Sequence, residues 1–347
     1  FKNDPDILVE ADFKVTKLDA GGSPVESSND PYFLPASGAW GQSFFDQWPL
    51  EKLEIQRAWS VSQGEGSLVA IIDTGVDYNH PELQGQIVKG LDFANNDDDP
   101  IDDNGHGTHL AGTVVSQWNN GIGIAGVAPS AKVLAIKVLD AEGSGYLSDV
   151  SEAIRYAVDS GAHVINLSLG TFAPDYPTYF SSAMDYAQEK NVVVVASAGN
   201  DSMDVRFVIP ANDPVAIAVG ATNFLDQRAS FSNYGQRLSL TAPGGGDNGP
   251  DSISEPSFSV LSLKSQILEA GLDGFVVGDQ YLRLGGTSMA APHVAGVAAL
   301  LRSRFPDATS LQIRQMLQQG AQDIYTNGFD SESGFGRLNA LRALEIE

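Results

Sequence analysis

The chain has 347 residues, 42% of them hydrophobic, and 44 acidic residues against 20 Lys and Arg give a formal charge of −24. This length is enough for one large core, or for one core with a small appendage. The acidic balance argues against nucleic acid as a partner, because phosphate binding needs clustered Lys and Arg. No apolar run reaches the roughly 18 residues of a membrane span. The absence of cysteine excludes disulfides and thiol chemistry.

The first 28 residues differ in pattern from the rest of the chain. Val9, Ala11, Phe13 and Val15 alternate with polar residues, which predicts one strand, and a Gly/Ser-rich stretch over 21–28 predicts a linker. We therefore expect an N-terminal extension at 1–28 and a catalytic domain at 29–347. Phe1 does not begin a signal peptide, so we expect a processed or shortened form.

Strand and helix patterns alternate after residue 29. Apolar runs predict strands at 68–72, 131–139, 163–169, 192–198 and 215–220, and helical spacing predicts helices at 146–160, 181–190 and 290–305. This alternation predicts an α/β fold of three layers, in which a mostly parallel sheet has helices on both faces. An insertion at about 244–284 interrupts the pattern. It could shape the cleft beside the nucleophile, or it could be a surface decoration with no role in the cleft. We expect the second alternative.

Three motifs bring together the residue types of nucleophilic catalysis. Asp73 ends a buried strand, where open α/β sheets build their sites, and His106 stands between two glycines at a predicted helix start. Ser288 follows Gly285-Gly286-Thr287 and begins the longest apolar helix, whose free N–H groups would surround its hydroxyl. A serine needs a base, and the base needs an orienting acid, so these residues predict a hydrolase.

The order Asp, His, Ser and the residues around each one resemble the subtilisin-like serine proteases, the subtilases, over nearly the whole chain after residue 29. The resemblance implies a subtilisin-like fold and a serine endopeptidase acting through an acyl-enzyme. Ser288 would attack the scissile carbonyl, His106 would move the proton and Asp73 would orient the imidazole. Asn200 matches the residue that stabilises the oxyanion.

The resemblance also implies a cleft for an extended peptide, bound by strand addition. Two walls would be formed by Ser168, Leu169 and Gly170 and by Gly143, Ser144 and Gly145. The S1 pocket would be lined by Ala196, Ser197, Ala198 and Gly199, whose small size favours a large apolar or aromatic P1 residue. Asp201 at the rim would instead favour a basic one.

Calcium is the cofactor that the resemblance implies. One acidic loop resembles the calcium loop of thermitase-like subtilases and would supply Asp92, Asn95, Asp97, Asp99 and the Ile101 carbonyl. A tighter site would use Asp30, Glu82, Asn120 and the carbonyls of Trp118, Ile122 and Ile124. Glu82 stands where the family has aspartate, and Ser239 removes a third, weak site. The alternative for the acidic loop is a solvated turn. No zinc motif is present, and we expect His109 and His293 to be structural.

The sequence therefore predicts a secreted, calcium-stabilised, monomeric endopeptidase that cleaves protein or peptide substrates. By resemblance, residues 1–28 include the last strand of an inhibitory propeptide, which would act as inhibitor or chaperone. The alternative is an extension pairing on a sheet edge. Three rival functions remain open: a selective processing protease, a binding protein on an inactive protease fold, and an enzyme inhibited by its own first 28 residues.

Overall fold

The computed structural model describes residues 28–33, 38–173, 176–246, 256–269 and 271–346. The predicted strand at 9–15 and all of the predicted linker except residue 28 lie outside these residues. Within the described ranges, no helix is both long and apolar enough to cross a bilayer.

Seven parallel strands form the central sheet, in the order β2-β3-β1-β4-β6-β8-β9. The strands of the described chain are β1 Leu68–Asp73, β2 Ile87–Asp92, β3 Lys132–Lys137, β4 Val164–Leu167, β5 Thr171–Phe172, β6 Val193–Ser197, β7 Val208–Ile209, β8 Ile217–Thr222, β9 Leu240–Pro243, β10 Val260–Leu263, β11 Val276–Val277 and β12 Tyr281–Leu284. β10, β12 and β11 form a small antiparallel sheet, and β5 pairs with β7.

Helices cover both faces of the central sheet. They are α1 Trp48–Lys52, α2 Ile55–Trp59, α3 His106–Val115, α4 Leu147–Asp159, α5 Thr178–Glu189, α6 Thr287–Arg304, α7 Ser310–Gln319 and α8 Ala340–Leu344. Successive residues of β1 face opposite sides: Val69 and Ile71 pack in the core beneath α3 and α6, and Ala70 and Ile72 in the core beneath α4 and α5. The predicted three-layer α/β fold is confirmed.

The helices and strands predicted after residue 29 are all present, with shifted ends. The helix expected at 181–190 begins three residues earlier, at Thr178, and the helix expected at 290–305 begins at Thr287. The glycine pair is the cause of the second shift, because Gly286 caps α6 with φ 153°, in a region of backbone space that favours glycine. Ser288 is therefore the second residue of α6, within its first turn.

Candidate active site

The carboxyl ends of the parallel strands bring the predicted acid and base together. Asp73 is the last residue of β1, and His106 is the first residue of α3. The His106 Nδ1 lies 2.7 Å from Asp73 Oδ1, and the Asp73 side chain is fully buried. With its Nδ1–H donating to Asp73, the neutral imidazole leaves Nε2 as an acceptor for a proton from the nucleophile.

The electrostatic surroundings of His106 favour its protonated form. Burial lowers the pKa of the imidazole, but the charge and hydrogen bond of Asp73 outweigh that effect. The charges of Asp102 and Glu269 add to the increase, so the pKa of His106 is raised above its usual value of 6.5. A base with a raised pKa is a stronger proton acceptor once the pH is high enough to keep it neutral.

Ser288 lies in the same cavity as His106, and its hydroxyl has another partner. The Ser288 Oγ donates to the Ser168 carbonyl at 3.0 Å, and the Ser168 Oγ donates to the Ser288 carbonyl at 2.8 Å. In the described part of the chain, no hydrogen bond joins Ser288 to His106. The nucleophile is thus placed at the site with its hydroxyl directed at the end of β4, and attack requires a turn about its χ1.

Asn200 follows β6 and is oriented by the residue before the nucleophile. Its Oδ1 accepts hydrogen bonds from the Thr287 backbone N–H at 2.9 Å and from the Thr287 Oγ1 at 3.0 Å. The Thr287 Oγ1 in turn accepts from the Gly199 N–H at 3.0 Å. Since the oxygen of the Asn200 amide is engaged, its Nδ2 is left as a donor toward the cavity that Asn200 and Ser288 both line.

The cavity has a volume of about 690 Å³ and contains most of the predicted cleft residues. Those that line it are Gly143, Ser144, Gly145, Ser168, Leu169, Gly170, Ser197 and Gly199. The prediction that Ala196 and Ala198 line the S1 pocket is wrong, because both are fully buried in the core beneath α4 and α5. Along an extended chain successive side chains alternate between faces, so Ser197 faces the cavity and its two neighbours face the core. Asp201 lies at the cavity, as expected.

Comparison with known proteins points to the same kind of active site as the geometry does. Residues 64–336 match the model of the subtilase family. A thermophilic serine proteinase of Bacillus sp. (strain AK1) is 41% identical over 323 residues, which cover 92% of this chain and 73% of that protein. Thermitase of Thermoactinomyces vulgaris is 39% identical over 317 residues, covering 91% of this chain and 99% of thermitase. A solved protease of Pseudoalteromonas arctica PAMC 21717 superposes with a TM-score of 0.77 at 31% identity, covering 92% of this chain and 99% of that one.

The chain belongs to the subtilase family. It is a subtilisin-like serine endopeptidase, as the order of its motifs predicted.

One predicted calcium loop of this subtilase combines a buried carboxylate with free carbonyls. No hydrogen bond reaches the backbone oxygens of Trp118, Ile122 or Ile124 from the described residues. Glu82 is fully buried and accepts from Tyr281 Oη, the Ile124 N–H and Asn120 Nδ2. Burial raises the pKa of Glu82 to about 7, which reflects the cost of an ionised carboxylate with no positive charge beside it. A buried carboxylate near free carbonyls is the oxygen donor set that a hard cation prefers, so these residues fit calcium.

Asp30 holds that loop by its backbone. Its carboxylate accepts the N–H groups of Asn119, Asn120 and Gly121 and the hydroxyl of Ser28. Four donors satisfy both oxygens of a fully buried side chain. In this structure Asp30 therefore shapes the loop that presents the carbonyls, and its oxygens are already engaged.

The second predicted loop turns back on itself. Asp92 and Asp97 exchange backbone hydrogen bonds, and both Asp92 oxygens accept from Asn95. The Asp99 carboxylate is directed elsewhere, to the hydroxyl of Tyr78 and the ammonium of Lys89. The backbone oxygen of Asp99 accepts the N–H of Ile101, whose own carbonyl has no partner in the described ranges. Asp92, Asn95 and Asp97 are thus the side chains that the turn brings together. Nowhere in the described ranges do three His, Cys, Asp or Glu residues form a metal cluster.

Two further residues at the subtilase site escaped the sequence analysis. Asp102 is buried, and its carboxylate accepts five hydrogen bonds, from Thr74 Oγ1, the N–H groups of Asn104, Gly105 and Thr108, and Thr108 Oγ1. It thereby joins the end of β1 to the start of α3. Glu269, from the insertion, lines the cavity beside His106. The expectation that the insertion is only a decoration is therefore wrong.

The remaining histidines on α3 and α6 are structural, as expected. The His109 Nε2 lies 3.1 Å from the carbonyls of both Val260 and Leu282, which fastens β10 and β12 to α3. The His293 Nδ1 donates to the Met289 carbonyl at 2.8 Å. Burial lowers the pKa of His109 to about 3 and that of His293 to about 4, so both are neutral and neither is placed to act on a substrate.

Proposed function

We propose that this subtilase is a secreted, calcium-stabilised endopeptidase in which Ser288, His106, Asp73 and Asn200 carry out the chemistry. The observation that supports this most is the 2.7 Å contact between His106 and the buried Asp73, at the mouth of the cavity that Ser288 lines. The proposal of secretion rests on the likeness to the subtilases, and the formal net charge of −24 accords with a well-solvated surface. We expect a monomer.

Ser288, His106 and Asn200 account for both halves of the reaction, the formation of the acyl-enzyme and its hydrolysis. On substrate binding, the Ser288 hydroxyl leaves the Ser168 carbonyl and turns to the His106 Nε2, which takes its proton as Oγ bonds to the carbonyl carbon. Asn200 Nδ2 and the Ser288 N–H donate to the oxyanion. His106 then gives its proton to the leaving amine as the C–N bond breaks, leaving an acyl-enzyme. Water attacks that ester by the same steps, with His106 again taking and returning the proton.

The walls of the cavity support binding of an extended protein segment. The strand-end segment 168–170 and the loop 143–145 would pair with the backbone of the peptide. Leu169, Val208 and Ile209 also line this cavity, which favours a large apolar or aromatic P1 residue. The side chain of Asp201 is an acidic group at the same cavity and offers the alternative, a basic P1.

Calcium would bind at the two loops already described. The tight site would use Glu82, Asn120 and the carbonyls of Trp118, Ile122 and Ile124, with Asp30 holding the loop. The second would use Asp92, Asn95, Asp97 and the Ile101 carbonyl. In the absence of a disulfide, such a cation would stabilise the folded chain by binding to it and not to the unfolded chain.

Hydrolysis of a peptide library tests this function, with and without a calcium chelator, beside Ser288→Ala. We expect hydrolysis to fall about a million-fold in Ser288→Ala, as in the subtilisin case known for a serine nucleophile. Chelation should lower the melting temperature of Ser288→Ala, in which autolysis is absent. Hydrolysis that survives Ser288→Ala would contradict the proposed nucleophile, and a melting temperature indifferent to chelation would contradict the calcium sites.

The rival functions give different results in the same assay. A binding protein on an inactive fold would not react with a serine-directed phosphonylating probe. An enzyme inhibited by residues 1–28 would gain activity when they are removed. We propose that these residues are the end of a propeptide, so truncation should raise activity. Unchanged activity after truncation would contradict that role.

A further inference from the structure

A second, smaller cavity lies beside the catalytic pair. Its volume is about 180 Å³, and it shares five lining residues with the larger one, Asn104, His106, Asn200, Glu269 and Ser288. The peptide-binding walls 143–145 and 168–170 belong to the larger cavity alone. Since the acyl side of the substrate occupies those walls in the proposed function, the smaller cavity is the one that receives residues on the leaving-group side of the scissile bond.

The smaller cavity is lined by apolar side chains with one carboxylate among them. The side chains of Leu272, Leu282, Leu284 and Met289 contribute the apolar surface, and Glu269 contributes the charge. The side chain of Glu269 is exposed, and no ion pair to it is found among the described residues. A lysine or arginine matches this arrangement, because its methylene stem can cover apolar surface while its charged end meets a carboxylate.

Backbone contacts fix Glu269 beside the base. The Glu269 N–H donates to the Asn104 carbonyl at 2.9 Å, two residues before His106. The same segment is attached at the Gln266 N–H, which donates to Asp77 Oδ2 at 3.0 Å. The first bond ties the inserted chain to the segment before the catalytic histidine, and the second ties it to the segment after β1, so the backbone of Glu269 is held beside the base.

The charges around the site have one sign. Glu142, Asp201 and Glu269 line the two cavities, and no Lys or Arg stands among the described lining residues. The basic group that lines both cavities is the imidazole of His106, whose raised pKa includes a contribution from the charge of Glu269. Among the described lining residues, no Lys or Arg therefore competes with a basic substrate residue for the Glu269 carboxylate.

We propose that Glu269 is a specificity-determining residue that selects Lys or Arg at the first or second position after the scissile bond. This inference rests on the proposed endopeptidase function and extends it to the leaving-group side. Glu269 would select through substrate binding, because its contribution to the pKa of His106 is the same for every peptide compared. Its influence should be electrostatic, and it should therefore weaken as salt rises.

Quenched-fluorescent peptides of one sequence, with Lys, Gln or Glu at P1′ or at P2′, test the proposal. At low salt we expect kcat/KM to favour Lys over Gln by about fivefold, a ratio that matches an exposed ion pair. The preference should approach unity in Glu269→Gln and in about 1 M salt. It should reverse toward Glu in Glu269→Lys.

Glu152→Gln is the matched control, because it removes the same charge from the exposed face of α4, away from both cavities. A preference that persists in Glu269→Gln, or that disappears equally in Glu152→Gln, would overturn the proposal and leave the endopeptidase function standing. Cleavage of the Gln peptide measures that function separately. If neither the native chain nor the chain without residues 1–28 cleaves any of the peptides, both proposals fall.

Discussion

At the scale of single residues, Asn200 has two tasks that different substitutions separate. Its Oδ1 accepts from Thr287, and its Nδ2 is the donor proposed for the oxyanion. Removing that donor should lower kcat about 100- to 1,000-fold with little change in KM. We expect this loss both in Asn200→Leu and in Asn200→Asp. Of the two, Asn200→Asp keeps an acceptor for the Thr287 N–H.

Melting temperatures distinguish the two tasks. In the Ser288→Ala background, Asn200→Leu should melt at a lower temperature than Asn200→Asp, because the Thr287 N–H and hydroxyl lose their acceptor. Equal kcat in Asn200→Leu and the native enzyme would remove Asn200 from the oxyanion site.

The pH dependence of kcat/KM should show the raised pKa of His106. The neutral imidazole is the base, so activity should fall as the pH drops through that pKa, at a pH above the usual 6.5 of histidine. Glu269 contributes to the increase, and Glu269→Gln should therefore move the acidic limb of the profile to lower pH. Glu152→Gln should leave the limb in place. An unchanged limb in Glu269→Gln would show that its charge does not reach His106.

At the scale of elements, Asp102 fastens the end of β1 to the start of α3. Thr74 Oγ1 donates to Asp102 and accepts the Gly107 N–H, so the two catalytic segments share one network. Burial raises the pKa of Asp102. In Asp102→Asn an NH₂ group replaces one acceptor oxygen and meets donors, at a cost of about 2–4 kcal/mol. Urea unfolding in the Ser288→Ala background measures this cost, with Glu152→Gln as the control. A loss below about 0.5 kcal/mol would contradict it.

The close packing of α3 against the small sheet has a definite cause. A Cβ at Gly112 would lie 2.4 Å from the Leu263 side chain, so only glycine lets β10 approach this helix. His109 then bonds the carbonyls of both β10 and β12 one turn after His106. The insertion is thus supported by the same helix that presents the catalytic base.

The motifs at the strand and helix ends were enough to predict the fold and to bring the acid, base and nucleophile to one site. Other features of the site could not be predicted from the sequence, for physical reasons. Asp102 lies in an acid-rich stretch, and its role depends on Thr74, which is 28 positions away. The direction of the Ser288 hydroxyl is a rotamer choice that sequence does not encode. The error at Ala196 and Ala198 was avoidable, because the alternation of an extended chain already placed Ser197 on the opposite face.

At the scale of the whole molecule, the two buried neutral histidines should make the fold sensitive to acid. Both have folded-state pKa values, about 3 for His109 and about 4 for His293, below the usual 6.5. Between pH 6.5 and about 4 the unfolded chain binds more protons than the folded one, so stability falls as the pH falls. Each histidine contributes a slope of up to about 1.4 kcal/mol per pH unit.

Urea unfolding of Ser288→Ala between pH 6.5 and 5, above the range where most carboxylates titrate, measures that slope. His293→Gln should reduce it, whatever the substitution does to the absolute stability. Identical slopes in the two proteins would mean that His293 is accessible to protons in the folded state.

In the small sheet, Lys264 directly follows β10 and Gln280 directly precedes β12. The Lys264 N–H donates to the Gln280 carbonyl at 2.8 Å, which extends the pairing of the two strands by one hydrogen bond. Between these two residues β11 pairs with β12, and the described residues 265–269 and 271–275 lie outside the sheet. We therefore expect changes of length or composition at 265–269 to leave the register of β10 and β12 and the position of Ser288 unchanged. The segment that carries Glu269 is in this sense an exchangeable cassette, and related enzymes with the same core could acquire new cleavage preferences by replacing it.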